Sequence, residues 1–193
     1  NNNTAVGHNA LSSLTSGDNN VAIGTLAGYL MTDVDGCVIV GKDAGQALNH
    51  ADSDGTVLIG QNAGGALVSG IGNTAIGRFA LDAEDTGDYN TAIGYQALST
   101  QNVDGTVGNT AVGYNAGVAL TTAVGSVAIG YHALSANTTG SRNIAIGYAA
   151  MDDTGANDCK TSTDNIMIGH DAGGGTWTTN DSNYNVGIGN YVM

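Results

Sequence analysis

The chain has 193 residues, 31 of them glycine and none proline, and only 5% are aromatic. Glycine at more than twice its usual level of about 7%, with so few large rings, excludes an ordinary globular core, and its strict recurrence argues against disorder. A net charge of −13, from 17 acidic and four basic residues, repels phosphate backbones and anionic lipid surfaces and so speaks against nucleic-acid and membrane partners.

No apolar run approaches the ~18 residues needed to cross a bilayer, and the two cysteines, Cys37 and Cys159, set no disulfide framework. Under the stacking derived next they sit several coils apart, too far to bridge within one chain. The chain begins at Asn1 with no recognisable leader, so it reads as a fragment or a processed product.

One motif organises everything else: Asn-(Val/Thr)-Ala-(Ile/Val)-Gly-x-x-Ala. Its glycines are Gly7, Gly24, Gly41, Gly60, Gly77, Gly94, Gly113, Gly130, Gly147, Gly169 and Gly189, at spacings of 17, 17, 19, 17, 17, 19, 17, 17, 22 and 20. With the glycine as position zero, position −1 is Ile or Val in all eleven copies and position −3 is Val, Ile or Thr. A mostly small residue separates them, as at Ala5, Ala75 and Ala145. That is a period-two pattern and predicts a short strand ending at each glycine. The β-branched −3 and −1 residues are expected to share a tightly packed core face, and the alanine face to approach another surface closely.

The glycine then turns the chain. Alanine at +3 in ten copies, such as Ala10, Ala97 and Ala172, predicts a second, shorter extended segment. Position −4 is Asn in eight copies, from Asn3 to Asn185, which suits a stacked amide ladder. A helix would carry glycine at its centre every time. A stack of about eleven 17–22-residue coils explains the recurrence, because each coil is stabilised by its neighbours. At about 4.8 Å per rung the rod would be roughly 50 Å long. The expected fold is therefore all-β, one parallel β-solenoid domain over 1–193. A longer period of 53 residues separates Gly7, Gly60 and Gly113 and points to duplication of a three-coil unit.

Taken along the chain, the candidate sites begin with aspartates at position −6, Asp18, Asp35, Asp54 and Asp88. Asp18, Asp35 and Asp54 fall in consecutive coils, and Asp33 and Asp52 add charge. Stacked carboxylates repel unless a cation bridges them, and Ca²⁺ has the right oxygen-ligand chemistry. The competing reading is that each Asp opens a turn before its strand. Position +1 is tyrosine in four successive coils, Tyr95, Tyr114, Tyr131 and Tyr148. Stacking would align them in a column, either a surface for a sugar or protein partner or a ladder that stabilises the rod.

His8 and His170 take the same slot. Trp177, in the long linker after the tenth coil, is a contact point or an end plug. The remaining histidines, His50 and His132, show no metal-ligand spacing with the cysteines. GIGNTA at 70–75 matches a dinucleotide fingerprint, but it belongs to the coil motif and no helix follows. No nucleophile elbow or phosphate loop stands out, so a non-enzymatic role is expected.

NTAVGHNAL at 3–11, NTAIGYQAL at 90–98, NTAVGYNAG at 109–117 and SVAIGYHAL at 126–134 resemble the head repeats of trimeric autotransporter adhesins. They are closer still to repeats of phage tail-fibre proteins that often precede an endosialidase-type intramolecular chaperone. The resemblance covers essentially the whole chain. It implies a left-handed parallel β-roll, a homotrimer and a structural, adhesive role outside the cell, on a virion tail fibre or a bacterial surface, with a cell-surface glycan or protein as receptor. The acidic linkers MTDVDG and MDDTGANDCKTSTDN depart from that pattern.

Open strand edges at both ends point to a longer native chain or to end-to-end stacking into a filament. The alternative is a monomeric module with a flat repetitive face for ice or polysaccharide. Ice binders favour regular threonine arrays, whereas threonine at −3 here alternates with Val and Ile, a mixture that fits a core better.

Overall fold

A computed structural model describes residues 2–152, 161–175 and 182–192. Eleven three-residue strands, from Thr4–Val6 to Val186–Ile188, form one parallel sheet, with each strand hydrogen-bonded to its counterpart in the coils before and after. Eleven rungs enclose about ten full turns. The register is uniform: Ile23 pairs with Val40 and Val40 with Ile59. The glycine amide continues each ladder, as where Gly41 N donates to Ile23 O at 2.7 Å. Helix among the described residues amounts to one 3₁₀ turn, Ala51–Ser53, and the single 3₁₀ residue Thr161.

The signature glycine is required twice over. Its φ lies between +133° and +141° in every coil, a region that side-chain-bearing residues avoid. A Cβ built on Gly60 would also fall 2.5 Å from the carbonyl oxygen of Gly77, one rung on. After it the chain does not extend again. Position +2 is left-handed in all eleven coils and +4 in the first ten, so a compact run of turns takes the place of the expected second strand. The +3 alanines lie between these reversals and are buried in nine of the ten coils that have one, Ala10 at the rod's end being half-buried. The only other ladder among the described residues is a two-residue bridge between Gly87–Asp88 and Gly105–Thr106.

The strand faces the opposite way from the expectation. Position −2 points inward, with Ala22, Ile39, Leu58, Ala75, Ala92 and Ala111 at most 1% exposed. The −3 and −1 residues form the outer face and stay partly exposed. Alternation assigns two faces without saying which is inside. A coil of 17 residues has a narrow lumen, and three inward positions must share it: −2, +4 and +7.

Their volumes compensate. Coil four places Leu58 at −2, Gly64 at +4 and Leu67 at +7; coil six places Ala92, Leu98 and Gln101. A Cβ on Gly64 would lie 2.7 Å from Leu58 Cδ2. Where leucine takes +4 it adopts left-handed φ, 51° at Leu98. That costs about 1–2 kcal/mol, comparable to what burying the side chain returns. We expect Ala92→Leu to destabilise the rod by about 1–3 kcal/mol through overpacking against Leu98. Adding Leu98→Gly, which recreates the coil-four pairing, should recover part of the loss in thermal melts. An equal loss in both variants would refute the shared-lumen account.

Candidate functional site

The +1 column is a stack of rings. Tyr95, Tyr114, Tyr131, Tyr148 and His170 follow one another at centroid distances of 5.2, 5.3, 5.0 and 5.0 Å, with planes within 11° of parallel. The rung spacing imposes this distance. Phe79 closes the upper end edge-on at 6.4 Å, itself covered by the Arg78 guanidinium at 4.5 Å. His132, at +2, leans against Tyr131 at 4.4 Å.

Tyr114, Tyr131 and Tyr148 are 45%, 46% and 52% exposed. Their ring faces cover one another, so the accessible part is ring edge and hydroxyl. A sugar cannot lie flat on any inner ring of this column. Earlier in the rod the same column carries His8, Thr25, Lys42, Gln61 and Arg78, so it passes from polar and basic to aromatic at coil six. Trp177 and Cys159 lie outside the described residues.

The aspartates also share one column, and each has a bonding role. Asp35 Oδ1 accepts from the Asp18 amide at 2.6 Å, Asp54 Oδ1 from the Asp35 amide at 2.7 Å, and Asp88 Oδ1 from the Ile71 amide at 2.8 Å. A carboxylate one rung on thus caps an amide that the turn leaves without a backbone partner. Ser141 and Asn183 fill the same role for Val124 and Thr163. Among the described residues no group of three or more His, Cys, Asp or Glu side chains is arranged to hold a metal ion.

The asparagines do form a ladder that bonds mainly to backbone, with direct amide–amide bonds where Asn165 Nδ2 donates to Asn143 Oδ1 at 3.1 Å and Asn185 Nδ2 to Asn165 Oδ1 at 2.8 Å. Asn20 is typical: its Oδ1 accepts from the Cys37 amide at 2.8 Å and its Nδ2 donates to Val34 O at 2.6 Å. Asn3, Asn73, Asn109, Asn143 and Asn165 repeat the pattern, each satisfying an amide and a carbonyl of the coil ahead, whereas Asn90 Oδ1 serves the Asn109 amide and its Nδ2 has no partner among the described residues.

A buried acid, Glu84, was not singled out from the sequence. Glu84 is wholly buried at +7, where five other coils carry Leu or Met. Its Oε1 accepts from the Gly87 and Thr86 amides at 2.8 and 3.3 Å, and its Oε2 from Gln101 Nε2 at 3.2 Å. Gln101 passes the network on, donating to Asn90 Oδ1 at 3.0 Å and accepting from Asn109 Nδ2 at 2.7 Å. The available signal was the break in the +7 column, which becomes visible only once +7 is known to point inward.

Cys37 replaces asparagine in the third coil, and burial pushes its thiol up to about 11. It is therefore a poor nucleophile near neutral pH. Above pH 9 the unfolded chain releases this proton before the folded one does, so the thiol's contribution to stability falls through that range. On the surface, Arg142 forks onto Asp164 at 2.7 and 2.8 Å and holds that carboxyl below its ordinary range.

The chain matches no family model, no curated protein and no solved structure. Its functional reading rests on the residues.

Proposed function

We propose that this chain is a rod segment of an extracellular homotrimeric fibre serving attachment, on a phage tail or a bacterial surface. The observation that carries the reading is the outward sheet face. Two columns of Thr, Val and Ile run along eleven rungs with no charged residue in either. Among the described residues no other element packs against the strands from outside, and Ile23 and Ile129 remain 40% and 37% exposed. A continuous apolar strip of this kind marks an interaction surface.

A partner that fits every rung must repeat at the same spacing, and a second copy of this chain does so. Closed symmetry then gives each subunit the same contact. The repeat resemblance favours three copies and a left-handed coil. In this reading the rod supplies length and stiffness, and no catalysis is involved.

The expected result is a solution mass three times the 19.2 kDa of the chain by light scattering. Val112→Lys with Ile129→Lys, on neighbouring rungs of the outer face, should reduce it to a single chain while the β-type circular dichroism persists. A wild-type mass of one chain, or an unchanged mass in the double variant, would sink the proposal.

One observation favours a second reading. Because −3 faces outward, Thr74, Thr91 and Thr110 form a partly exposed threonine run on three successive rungs, which removes the argument that these threonines serve the core. The remaining −3 positions interrupt that array with Val and Ile. Freezing-point hysteresis in a monomeric sample would support an ice-binding face over the fibre.

A further inference from the structure

We propose that the tyrosine column is a binding track for a neutral β-1,4-linked polysaccharide, laid along the rod axis with one sugar per rung. The proposal deepens the attachment reading and rests on it for its biological sense, though not on the trimer.

The first argument is commensurability. The rings advance by 5.2, 5.3, 5.0 and 5.0 Å. An extended chain of equatorially linked pyranoses advances by nearly the same length per sugar, so it keeps step with the column. An α-1,4-linked chain coils and drifts out of step within a few residues.

The second argument is bonding capacity. The hydroxyls of Tyr95, Tyr114, Tyr131 and Tyr148 have no hydrogen-bond partner among the described residues. Polar side chains at +2, Gln96, Asn115 and His132, run beside them. Each phenol can donate one hydrogen bond and accept another, which matches the paired donor and acceptor character of sugar hydroxyls.

Charge decides the class of glycan. The chain carries −13 overall, so a polyanionic glycan would be repelled, and no ionisable carboxylate lies in the +1 column from Tyr95 to Tyr148. Since the inner ring faces are closed to stacking, a single sugar gains only an edge contact. Affinity must come from several rungs engaged by one linked chain, which selects a polymer.

The test is calorimetric titration of the intact chain with cellohexaose, chitohexaose and maltohexaose, and with the shorter β-linked oligomers. At least one β-linked hexamer should bind, with affinity rising about three- to tenfold per sugar, the worth of about one net hydrogen bond. The rise should level off at five sugars, the number of rings in the stack. Maltohexaose should bind at least about tenfold more weakly, as a ligand that makes only one or two of those contacts would.

Tyr114→Phe with Tyr131→Phe keeps the rings and removes two hydroxyls, so it should fold normally and lose about tenfold or more. Failure of both β-linked hexamers to bind, equal binding of maltohexaose, or undiminished binding by the double Phe variant overturns the proposal. So does a change in solution mass in that variant, which would assign the hydroxyls to a subunit contact. A wild-type chain that binds the β-linked hexamer as a monomer sinks the trimer and leaves the track standing.

Discussion

Gly60→Ala should break the rod where Gly55→Ala leaves it standing. Both glycines have positive φ, +134° and +75°, and both lie in the fourth coil. At Gly55 a Cβ meets nothing within 4 Å, so the cost is conformational and about 1–2 kcal/mol. At Gly60 the added carbon would sit 2.5 Å from the oxygen and 2.6 Å from the carbon of Gly77.

Both of those atoms are backbone in a hydrogen-bonded rung, so neither can move without parting two coils. A loss of about 4 kcal/mol or more is expected, which for a chain of this length lowers the melting temperature by roughly 8–16 °C. Because a solenoid is stabilised between neighbours, the damage should be local, with amide protection lost first around coils four and five. Equal melting temperatures for the two variants would contradict the stacking geometry.

Asn109→Ala should have the next largest effect. Its Oδ1 accepts from the Ser126 amide at 2.7 Å, and its Nδ2 donates to Ala123 O and Gln101 Oε1, each at 2.7 Å. All of this is buried. Truncation strands two backbone groups and an amide oxygen, and each costs about 1–3 kcal/mol when left unpaired in the interior. The net expectation is about 3–5 kcal/mol.

Asn109→Ser should recover roughly half, since the chain already uses serine once in this ladder. Ser126 Oγ accepts from the Asn143 amide at 3.3 Å but does not serve the next coil's carbonyl, Gly140 O, to which Asn143 Nδ2 donates instead at 3.2 Å. Denaturant unfolding of the three proteins checks the order. A serine variant as unstable as the alanine one would show that the carbonyl bond, not the amide bond, dominates.

Much of this architecture was legible in the residues. Eleven glycines, ten of them followed by alanine three positions on, can repeat only if each coil lies over the last, and the uniform pairing of Thr4 with Val21 through to Ile168 with Ile188 follows. The tyrosine column was legible for the same reason. In a stack, identical sequence position means adjacency in space.

What the pattern left open was direction. Val–Ala–Ile alternation is the same whether alanine or the β-branched pair points inward. The lumen settled it, because +4 and +7 also turn inward and together leave room for only a small −2 residue in most coils. That choice in turn hid Glu84, exposed the threonines at −3, and moved the apolar columns from a presumed core to the surface that a partner would see.

By itself, then, the sequence determined the repeat, the rung register and the alignment of like residues along the rod, since periodicity translates directly into stacking. Only the tertiary structure decided which face is the interior, that a second strand gives way to left-handed turns, and that aspartate and asparagine bond to backbone amides. Those outcomes depend on the cross-section of a closed coil and on which backbone groups each turn leaves unpaired. Both belong to the whole loop and not to any segment of it.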